Sequence, residues 1–274
     1  METLGQIEVK TTKKGMNERW RIWGLGDVHK GHAGYKEDLY YETIEAIRVD
    51  PYSRAIIMGD MLDLISWQDK RFDPDCVAEK TRSAYFQKFG PTMRDGLISD
   101  LTPIKDKILV MLHGNHEWSY EHRMDDALTQ TVADTLGVRF GGYCAMFDLV
   151  IRNRQRQWKK RFVCHHGSSF AATPGGKINA LMKFMNAFES DIYFMGHVHE
   201  KLDFERPAIG ANKDCTAQSE RAKFGVITGS FLRGYVSPKR GASTYVERKM
   251  YAPVPLGPVS LTIVPSTGKM GIEK

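Results

Sequence analysis

Five short segments of the chain carry aspartate, asparagine and histidine at close spacing, a combination of side chains that binds divalent metal ions. The segments are Asp27-x-His29, Gly59-Asp60-x-x-Asp63, Gly114-Asn115-His116-Glu117, His165-His166-Gly167 and Gly196-His197-x-His199. Carboxylate and amide oxygens with imidazole nitrogens, and no thiolate, suit manganese, iron, zinc or magnesium-like ions better than copper(I) or an iron–sulfur cluster. Eight of the nine histidines lie in or within three residues of these segments, whereas unrelated structural roles would scatter them.

Each segment follows a run of residues that is typical of a β-strand. The predicted strands are Trp20–Leu25, Ala55–Met58, Lys107–Leu112, Arg161–Cys164 and Asp191–Met195. Because the loops after parallel strands converge on one edge of an α/β sheet, these five loops are expected to meet there. We expect the DxH and HxH pairs to place two ligands on one side of an extended backbone, since side chains alternate along a strand. Glycines precede Asp60, Asn115 and His197 and would let the chain turn tightly.

The donor set is too large for one tetrahedral ion. Seven ligands fit two ions roughly 3.5 to 4 Å apart, bridged by one carboxylate, which is the arrangement that promotes in-line phosphoryl displacement. The sequence therefore predicts a dinuclear site that acts on phosphoesters.

The remaining elements predict the fold class. Helices are predicted at Lys36–Arg48, Val77–Phe89, Pro91–Leu101, Ser119–Leu136 and Lys177–Phe188, and later strands at Ala145–Ile151, Gly225–Leu232 and Val259–Val264. Helices alternate with strands early and strands dominate late, which favours an α/β protein with mixed sheets packed between helices. Because no internal repeat or linker interrupts the chain, we expect a single domain over residues 1–274.

In this order, the five segments resemble the signature of the calcineurin-like metallophosphoesterase superfamily, over the chain from about Ile22 to His199. The resemblance implies a four-layer sandwich of two mixed β-sheets flanked by helices. It also implies a dinuclear metal centre that hydrolyses phosphoesters, with a metal-bridging hydroxide as the nucleophile. The cofactors would be two divalent ions, Mn²⁺ first, with Fe, Zn or Ni as other candidates.

The resemblance also implies a role for each site residue. Asp60 would bridge the two ions. The first ion would be held by Asp27, His29 and His199, and the second by Asn115, His165 and His197.

Three further residues, His116, Asp63 and His166, would complete the site. By resemblance, His116 is an acid that stabilises or protonates the leaving oxygen, and Asp63 orients His116. Of the adjacent histidines, His165 is expected to be the ligand, because in similar proteins the ligand immediately follows the strand. His166 would then line the site or bind a phosphate oxygen.

The charge excess of the chain lies in one segment. Lys and Arg number 39 and Asp and Glu 33, a formal net charge of +6, and residues 152–161 hold six basic residues and no acidic one. This segment is predicted to be a hairpin tip, either merely solvated or contacting a nucleic-acid backbone, with Trp158 available to stack on a base. The basic side chains with this candidate substrate-binding role are Arg154, Arg156, Lys159 and Lys160.

Three functions follow from these residues. The first is a phosphodiesterase that acts on DNA or RNA. The second is a phosphatase or a nucleotide or cyclic-nucleotide phosphodiesterase, although Leu64 and His113 stand where protein phosphatases of the superfamily have phosphate-clamping arginines. The third, a non-catalytic nucleic-acid-binding scaffold, would predict loss of ligands, yet every donor position is filled.

The composition bears on location. No apolar run approaches the roughly 18 residues that span a bilayer, and residues 1–14 contain no apolar signal-peptide core. The four cysteines form no C-x-x-C pair, which predicts free thiols. We therefore expect a cytoplasmic protein with no membrane partner, while the oligomeric state is left open.

Overall fold

The computed structural model describes residues 1–65, 67, 69, 71–82, 88–212, 214–236 and 244–274. Within these residues nine of the eleven β-strands form one continuous hydrogen-bonded path, and the other two each pair with one strand of that path. The strands are β1 (Glu2–Lys10), β2 (Trp20–Leu25), β3 (Ser53–Ile57), β4 (Ile108–Met111), β5 (Cys144–Arg152), β6 (Gln157–His165), β7 (Ile192–Met195), β8 (Lys201–Ala211), β9 (Gln218–Ser230), β10 (Gly257–Val264) and β11 (Lys269–Glu273). The helices are α1 (Glu37–Val49), α2 (Glu79–Arg82), α3 (Phe89–Leu101), α4 (Asn115–Met124), α5 (Leu128–Leu136), α6 (Pro174–Ala187) and α7 (Tyr245–Arg248).

The path folds into two mixed sheets that pack face to face. One sheet runs β11-β10-β2-β3-β4 and the other β1-β5-β6-β7-β9-β8. They are joined where β9 and β10 share two residue pairs, Gly257 with Ser230 and Pro258 with Gly229. Side chains from both sheets, such as Ile56 and Phe162, share one buried cluster. The central core therefore lies between the sheets.

Helices cover the two outer faces. Alternate residues of β3 show why, because Ile56 enters the core between the sheets while Ala55 and Ile57 pack on the opposite face against α1, α3 and α5. On the other sheet, α6 buries Leu181 and Met185. Helix, sheet, sheet and helix thus form four layers, as predicted. In the described part of the chain, no helix has the length and hydropathy needed to cross a membrane.

The predicted helix Val77–Phe89 contains α2 (Glu79–Arg82), and residues 83–87 lie outside the described residues. Elsewhere the structure differs from the sequence prediction in two places. The helix predicted over Ser119–Leu136 is two helices, because Asp125 adopts a left-handed φ of 50° that ends α4. The run from His122 to Asp126 also contributes no fully buried apolar side chain that would hold a continuous helix on the sheet. Strands β1, β8 and β11 were missed, since they are largely exposed and show little apolar alternation.

Candidate metal centre

The predicted donor segments meet at one edge of the two sheets. Strands β2, β3 and β4 are parallel, as are β6 and β7, and each of them ends just before a donor segment. The side chains that gather there are largely buried, with Asp27 and His166 at 0% exposure and Asp60 at 1%. The convergence expected from parallel strands is what the structure shows.

Three groups of side chains there have the geometry to hold a metal ion, with donor atoms within 4.8 Å of one another. They are Asp27 with His29 and His199, His29 with Asp60 and His116, and Asp60 with His166 and His197. The first and third groups correspond to the two predicted ion sites, with one change at the adjacent histidines.

Asp60 lies between these two groups, in the position of a bridging ligand. Its Oδ2 is 3.9 Å from Nε2 of His29 on one side and 3.4 Å from Nε2 of His166 on the other. Asn115 joins the second group, since its Oδ1 lies 3.2 Å from Nε2 of His166. In the first group, Nε2 of His199 is 3.4 Å from Oδ1 of Asp27 and 3.1 Å from Nε2 of His29.

The backbone that presents these donors is not extended, so the reason given above for the DxH and HxH spacing is wrong. Both strands end earlier, and the residues that follow have left-handed conformations. The φ angles are 49° at Asp27, 52° at His29, 71° at His197 and 51° at His199. Non-glycine residues adopt this region at a cost and are concentrated at functional sites. As a result His197 and His199 face different groups, whereas Asp27 and His29 share one.

Two glycines allow the loops after β3 and β4 to touch. Gly59 has φ of 87°, and a Cβ there would collide with the backbone of Gly114. A Cβ at Gly114 would collide with the carboxylate of Asp60. The expected tight approach is therefore present, and only glycine fits at both positions.

Glu117 ties the same two loops together. Its buried carboxylate accepts hydrogen bonds from the backbone N–H groups of Asp60 (2.9 Å), Leu62 (3.0 Å) and Gly114 (2.9 Å). Burial, and then the charge of Asp60, raise the pKa of Glu117 to about 7. The side chain thus has a structural role, setting the position of Asp60 relative to α4.

The choice between the adjacent histidines is corrected by the structure. His166, not His165, points into the donor cluster, where its Nδ1 lies 2.8 Å from the carbonyl of Met58 and its Nε2 faces Asp60 and Asn115. The His165 ring turns the other way, packs beside Phe184 and accepts a hydrogen bond from the N–H of Gly167. Adjacent residues of an extended chain face opposite sides, so only one of the two can reach the cluster.

Tyr143 supports both rings and was missed by sequence reasoning. Its ring centroid lies 5.7 Å from that of His165 and 5.5 Å from that of His166, and its carbonyl accepts a hydrogen bond from the N–H of His166. Tyr143 lies in a short loop before β5 that has no motif, so no signal in the sequence marks it.

His116 and Asp63 form a hydrogen-bonded pair beside the donor groups. Nδ1 of His116 lies 2.9 Å from Oδ1 of Asp63, which leaves Nε2 for a substrate. Burial by itself lowers the pKa of His116, but the charges of Asp60 and Asp63 outweigh it and raise the pKa above its ordinary value. Burial likewise opposes ionisation of Asp63, yet its hydrogen bond with His116 and the imidazole of His29, 3.8 Å away, hold its pKa well below its usual range. This is the arrangement expected of an oriented general acid.

The electrostatics of the cluster suit a divalent cation. Despite burial, neighbouring imidazoles keep the pKa of Asp60 well below its usual range, so a buried carboxylate stays ionised. Burial lowers the pKa of His29 to about 4, leaving that ring neutral and able to donate a lone pair. Oδ1 of Asp27 is buried with no hydrogen-bond partner among the described residues. Nε2 of His199 is 3.4 Å away, but a buried anionic oxygen that accepts no hydrogen bond is costly, and a bound cation would satisfy it.

A comparison with protein-family models decides the family. The model of the calcineurin-like phosphoesterases matches residues 21–201, more than half of the chain. The chain belongs to the calcineurin-like phosphoesterase family. Membership, together with the Asp and His groups, supports a metal-dependent phosphoesterase.

Solved structures similar to this calcineurin-like phosphoesterase share little sequence with it. Vacuolar protein sorting 29 from Cryptosporidium parvum is 13% identical, with coverage of 93% of this chain and 96% of that chain and a TM-score of 0.45. A predicted phosphoesterase from Streptococcus pneumoniae is 12% identical, with coverage of 93% and 98% and a TM-score of 0.34. The comparison with curated protein sequences gives no match.

The basic hairpin of this phosphoesterase lies far from the metal-site residues. Strands β5 and β6 pair from Cys144 with His165 to Arg152 with Gln157, so the tip is at the opposite end of the strands. At ~3.4 Å per residue, the nine-residue β6 separates it from His165 by about 27 Å. The structure therefore does not bring four predicted substrate contacts to the centre, namely Arg154, Arg156, Lys159 and Lys160.

The lysines of the hairpin form ion pairs with acidic residues of this protein, as is common on a solvated surface. Lys159 pairs with Asp148 and Lys160 with Asp191. Trp158 is 6% exposed and packs in the core between the sheets, so the expectation that it stacks on a base is wrong. A nucleic-acid contact next to the centre loses its support from this segment.

The correction at the adjacent histidines gives a direct test. We expect His166→Ala to weaken Mn²⁺ binding by more than about 100-fold, beyond the ~10–100-fold typical of residues that only orient ligands. His165→Ala should change it far less, because that ring contacts aromatic side chains outside the donor groups. Calorimetric titration of Mn²⁺ into each variant would measure the difference. A larger loss of Mn²⁺ affinity in His165→Ala than in His166→Ala would indicate that His165 is the ligand, as the sequence predicted.

Proposed function

We propose that this calcineurin-like phosphoesterase hydrolyses phosphodiesters with two divalent metal ions, Mn²⁺ first among the candidates. One observation carries the proposal. Asp60 lies between two separate donor groups, and the hydrogen-bonded pair of His116 and Asp63 lies directly beside them. A charge-rich centre with an adjacent proton donor is what phosphoester cleavage requires.

The residues present would hold the ions in two sets that share Asp60. The first set is Asp27, His29 and His199, and the second is Asn115, His166 and His197. When bound, divalent ions would lower the pKa of a coordinated water and offset the negative charge of the phosphoryl group. The His197 backbone N–H donates to Oδ2 of Asp27 (2.8 Å) and so positions the carboxylate that serves the first set.

His116 would supply the proton for the leaving oxygen. Asp63 engages Nδ1, which orients the ring and leaves Nε2–H to donate. The His116 backbone N–H also donates to Oδ1 of Asp60 (2.9 Å), so the proposed acid and the proposed bridging ligand are fixed relative to each other. We infer that this link keeps the leaving oxygen within reach of His116 while the phosphate lies at the ions.

A diester is favoured over a monoester by the residues near the centre. Leu64 is a buried apolar residue, and Nδ1 of His113 lies 3.2 Å from Oε2 of Glu121. Neither side chain offers the bidentate grip on a doubly charged phosphate that arginine would provide. A diester carries a single negative charge, so it needs fewer cationic contacts.

Turnover of small substrates tests the proposal. With Mn²⁺, we expect hydrolysis of bis-p-nitrophenyl phosphate to exceed that of p-nitrophenyl phosphate, to stop on chelation with EDTA and to return when Mn²⁺ is restored. Faster cleavage of the monoester would indicate a phosphatase instead. Single-stranded and duplex DNA belong in the same assay, and cleavage that falls steeply with salt would extend the proposal to nucleic acid. Mn²⁺ binding without hydrolysis of any of these would favour a scaffold.

A further inference from the structure

An ion-pair cluster lies in the segment that follows Asp63. The carboxylate of Asp69 is buried, with its side chain 1% exposed, and it accepts hydrogen bonds from Nε (3.1 Å) and Nη2 (2.7 Å) of Arg71. Nη1 of Arg123 reaches the same carboxylate at 2.8 Å. Two guanidinium groups thus share one anion, which leaves the cluster with a net positive charge.

The cluster lies along the side of α4 that carries His116. Arg123 follows His116 by seven residues, a spacing that returns to the same face of a helix about 10.5 Å further along its axis. Asp63 contacts His116 and Asp69 contacts Arg123, so both carboxylates lie beside this helix.

Arg71 is the member of the cluster that interacts electrostatically with Asp60, Asp63 and His116. Its bond to Asp69 is the largest cause of its raised pKa, and the carboxylates of Asp60 and Asp63 add to it. In return, Arg71 partly opposes the effect of these carboxylates on the pKa of His116. A guanidinium stays protonated at every pH of interest, so Arg71, bound to Asp69 beside Arg123, is a permanent positive charge on the side of α4 that carries the proposed acid.

We propose that Arg71, oriented by Asp69, binds the non-bridging oxygens of the substrate phosphate. Asp69 fixes the guanidinium through Nε and Nη2, and Nη1 has no hydrogen-bond acceptor within the part of the chain that the structure describes. About a third of the side chain is exposed, so a ligand can reach it. Arg71 would supply one cationic contact, which suits the single charge of a diester, at a centre where Leu64 and His113 supply none.

Asp69 and Arg123 act through Arg71. A buried carboxylate is stable only when paired, and Arg123 provides a second cation, so Asp69 can hold Arg71 without neutralising the whole cluster. The arrangement orients the planar guanidinium before substrate arrives, which reduces the entropy lost on binding. The assignment rests on the proposed phosphoester hydrolysis, because it names the group that would grip that substrate.

Binding of inorganic phosphate to the Mn²⁺-loaded protein tests the proposal without turnover. We expect Arg71→Ala to weaken phosphate binding by about 10- to 100-fold in calorimetric titration, at unchanged Mn²⁺ content. Arg71→Lys, which keeps the charge but loses the fork, should fall between Arg71→Ala and the natural protein. Asp69→Asn should also weaken binding. The control is Arg48→Gln, which removes an exposed arginine paired with Glu45 on α1 and should leave binding unchanged.

The kinetic readout separates this role from a structural one. For bis-p-nitrophenyl phosphate, Arg71→Ala should raise KM by about tenfold or more and change kcat less. A lowered melting temperature with natural phosphate affinity would show that the cluster is only structural and would overturn the proposal. If Arg71→Ala fails to fold, natural phosphate affinity in Arg71→Gln overturns it equally. Phosphate binding that depends on Arg71, in a protein that hydrolyses no phosphodiester, would overturn the proposed function and leave this contact standing.

Discussion

Asp60→Asn is expected to lower kcat for bis-p-nitrophenyl phosphate by about a thousandfold or more and to leave the protein with fewer bound Mn²⁺ ions. Among the described residues, Asp60 is the carboxylate placed between both donor groups, so its loss should weaken both proposed ion sites at once. Asparagine has nearly the same shape, and its amide oxygen can still accept from the N–H of His116. The effect should therefore come from the lost charge rather than from a collapsed loop.

Metal analysis of purified protein alongside steady-state kinetics would check this result. Asp95→Asn is a matched control, because it makes the same chemical change at an exposed side chain of α3. We expect the control to keep its metal content and its turnover. An Asp60→Asn variant with natural metal content and activity would contradict the bridging role.

His116→Asn should lower kcat by about 100- to 10,000-fold for a diester with a poor leaving group, while metal content stays unchanged. Protonating the leaving oxygen matters most when that oxygen is strongly basic. A dinucleoside monophosphate, which releases an alkoxide, should therefore lose much more activity than bis-p-nitrophenyl phosphate, which releases a stable phenolate. This contrast between the two substrates marks a lost general acid.

The pH profile offers a second readout for His116. A general acid must be protonated to act, so kcat for the poor leaving group should fall as pH rises through the pKa of His116. The neighbouring carboxylates raise that pKa above its ordinary value, which moves the falling limb to higher pH. His116→Asn should lack this limb, whereas His122→Asn, at an exposed position of the same helix, should keep it. Equal loss on both substrates, with the limb retained, would contradict the assigned role.

Much of the fold followed from local patterns. Strand β2 begins and ends at the predicted residues, because a short apolar run closed by Gly26-Asp27 leaves little choice of boundary. Strand β1 was missed, since only Ile7 and Val9 are buried and the pattern around them is polar. Its place is set by parallel pairing with β5, a contact that no local pattern encodes.

Tertiary structure also explains why the sequence placed the basic hairpin wrongly and did not reveal the ion-pair cluster of Asp69, Arg71 and Arg123. The tip of the basic hairpin is close to His165 in sequence, but the extended strand β6 carries it about 27 Å away. Asp69 and Arg71 belong to no motif, and their proposed role depends on the contact of Asp69 with Arg123, which is distant in sequence. The hairpin tip is thus near His165 in sequence but far from it in space, whereas Asp69 and Arg123 are far apart in sequence but in contact.

The sequence by itself determined which donors this phosphoesterase has and that they follow strand ends, because residue type and strand patterns are local properties. It also determined that Asp60, Asn115 and His116 belong to one centre, since parallel strands bring their loops to one edge. Only the tertiary structure decided that His166 rather than His165 enters that centre. The reason is that the carbonyl of Met58 and the side chain of Asn115, both distant in sequence, orient the His166 ring, while Phe184 packs against His165.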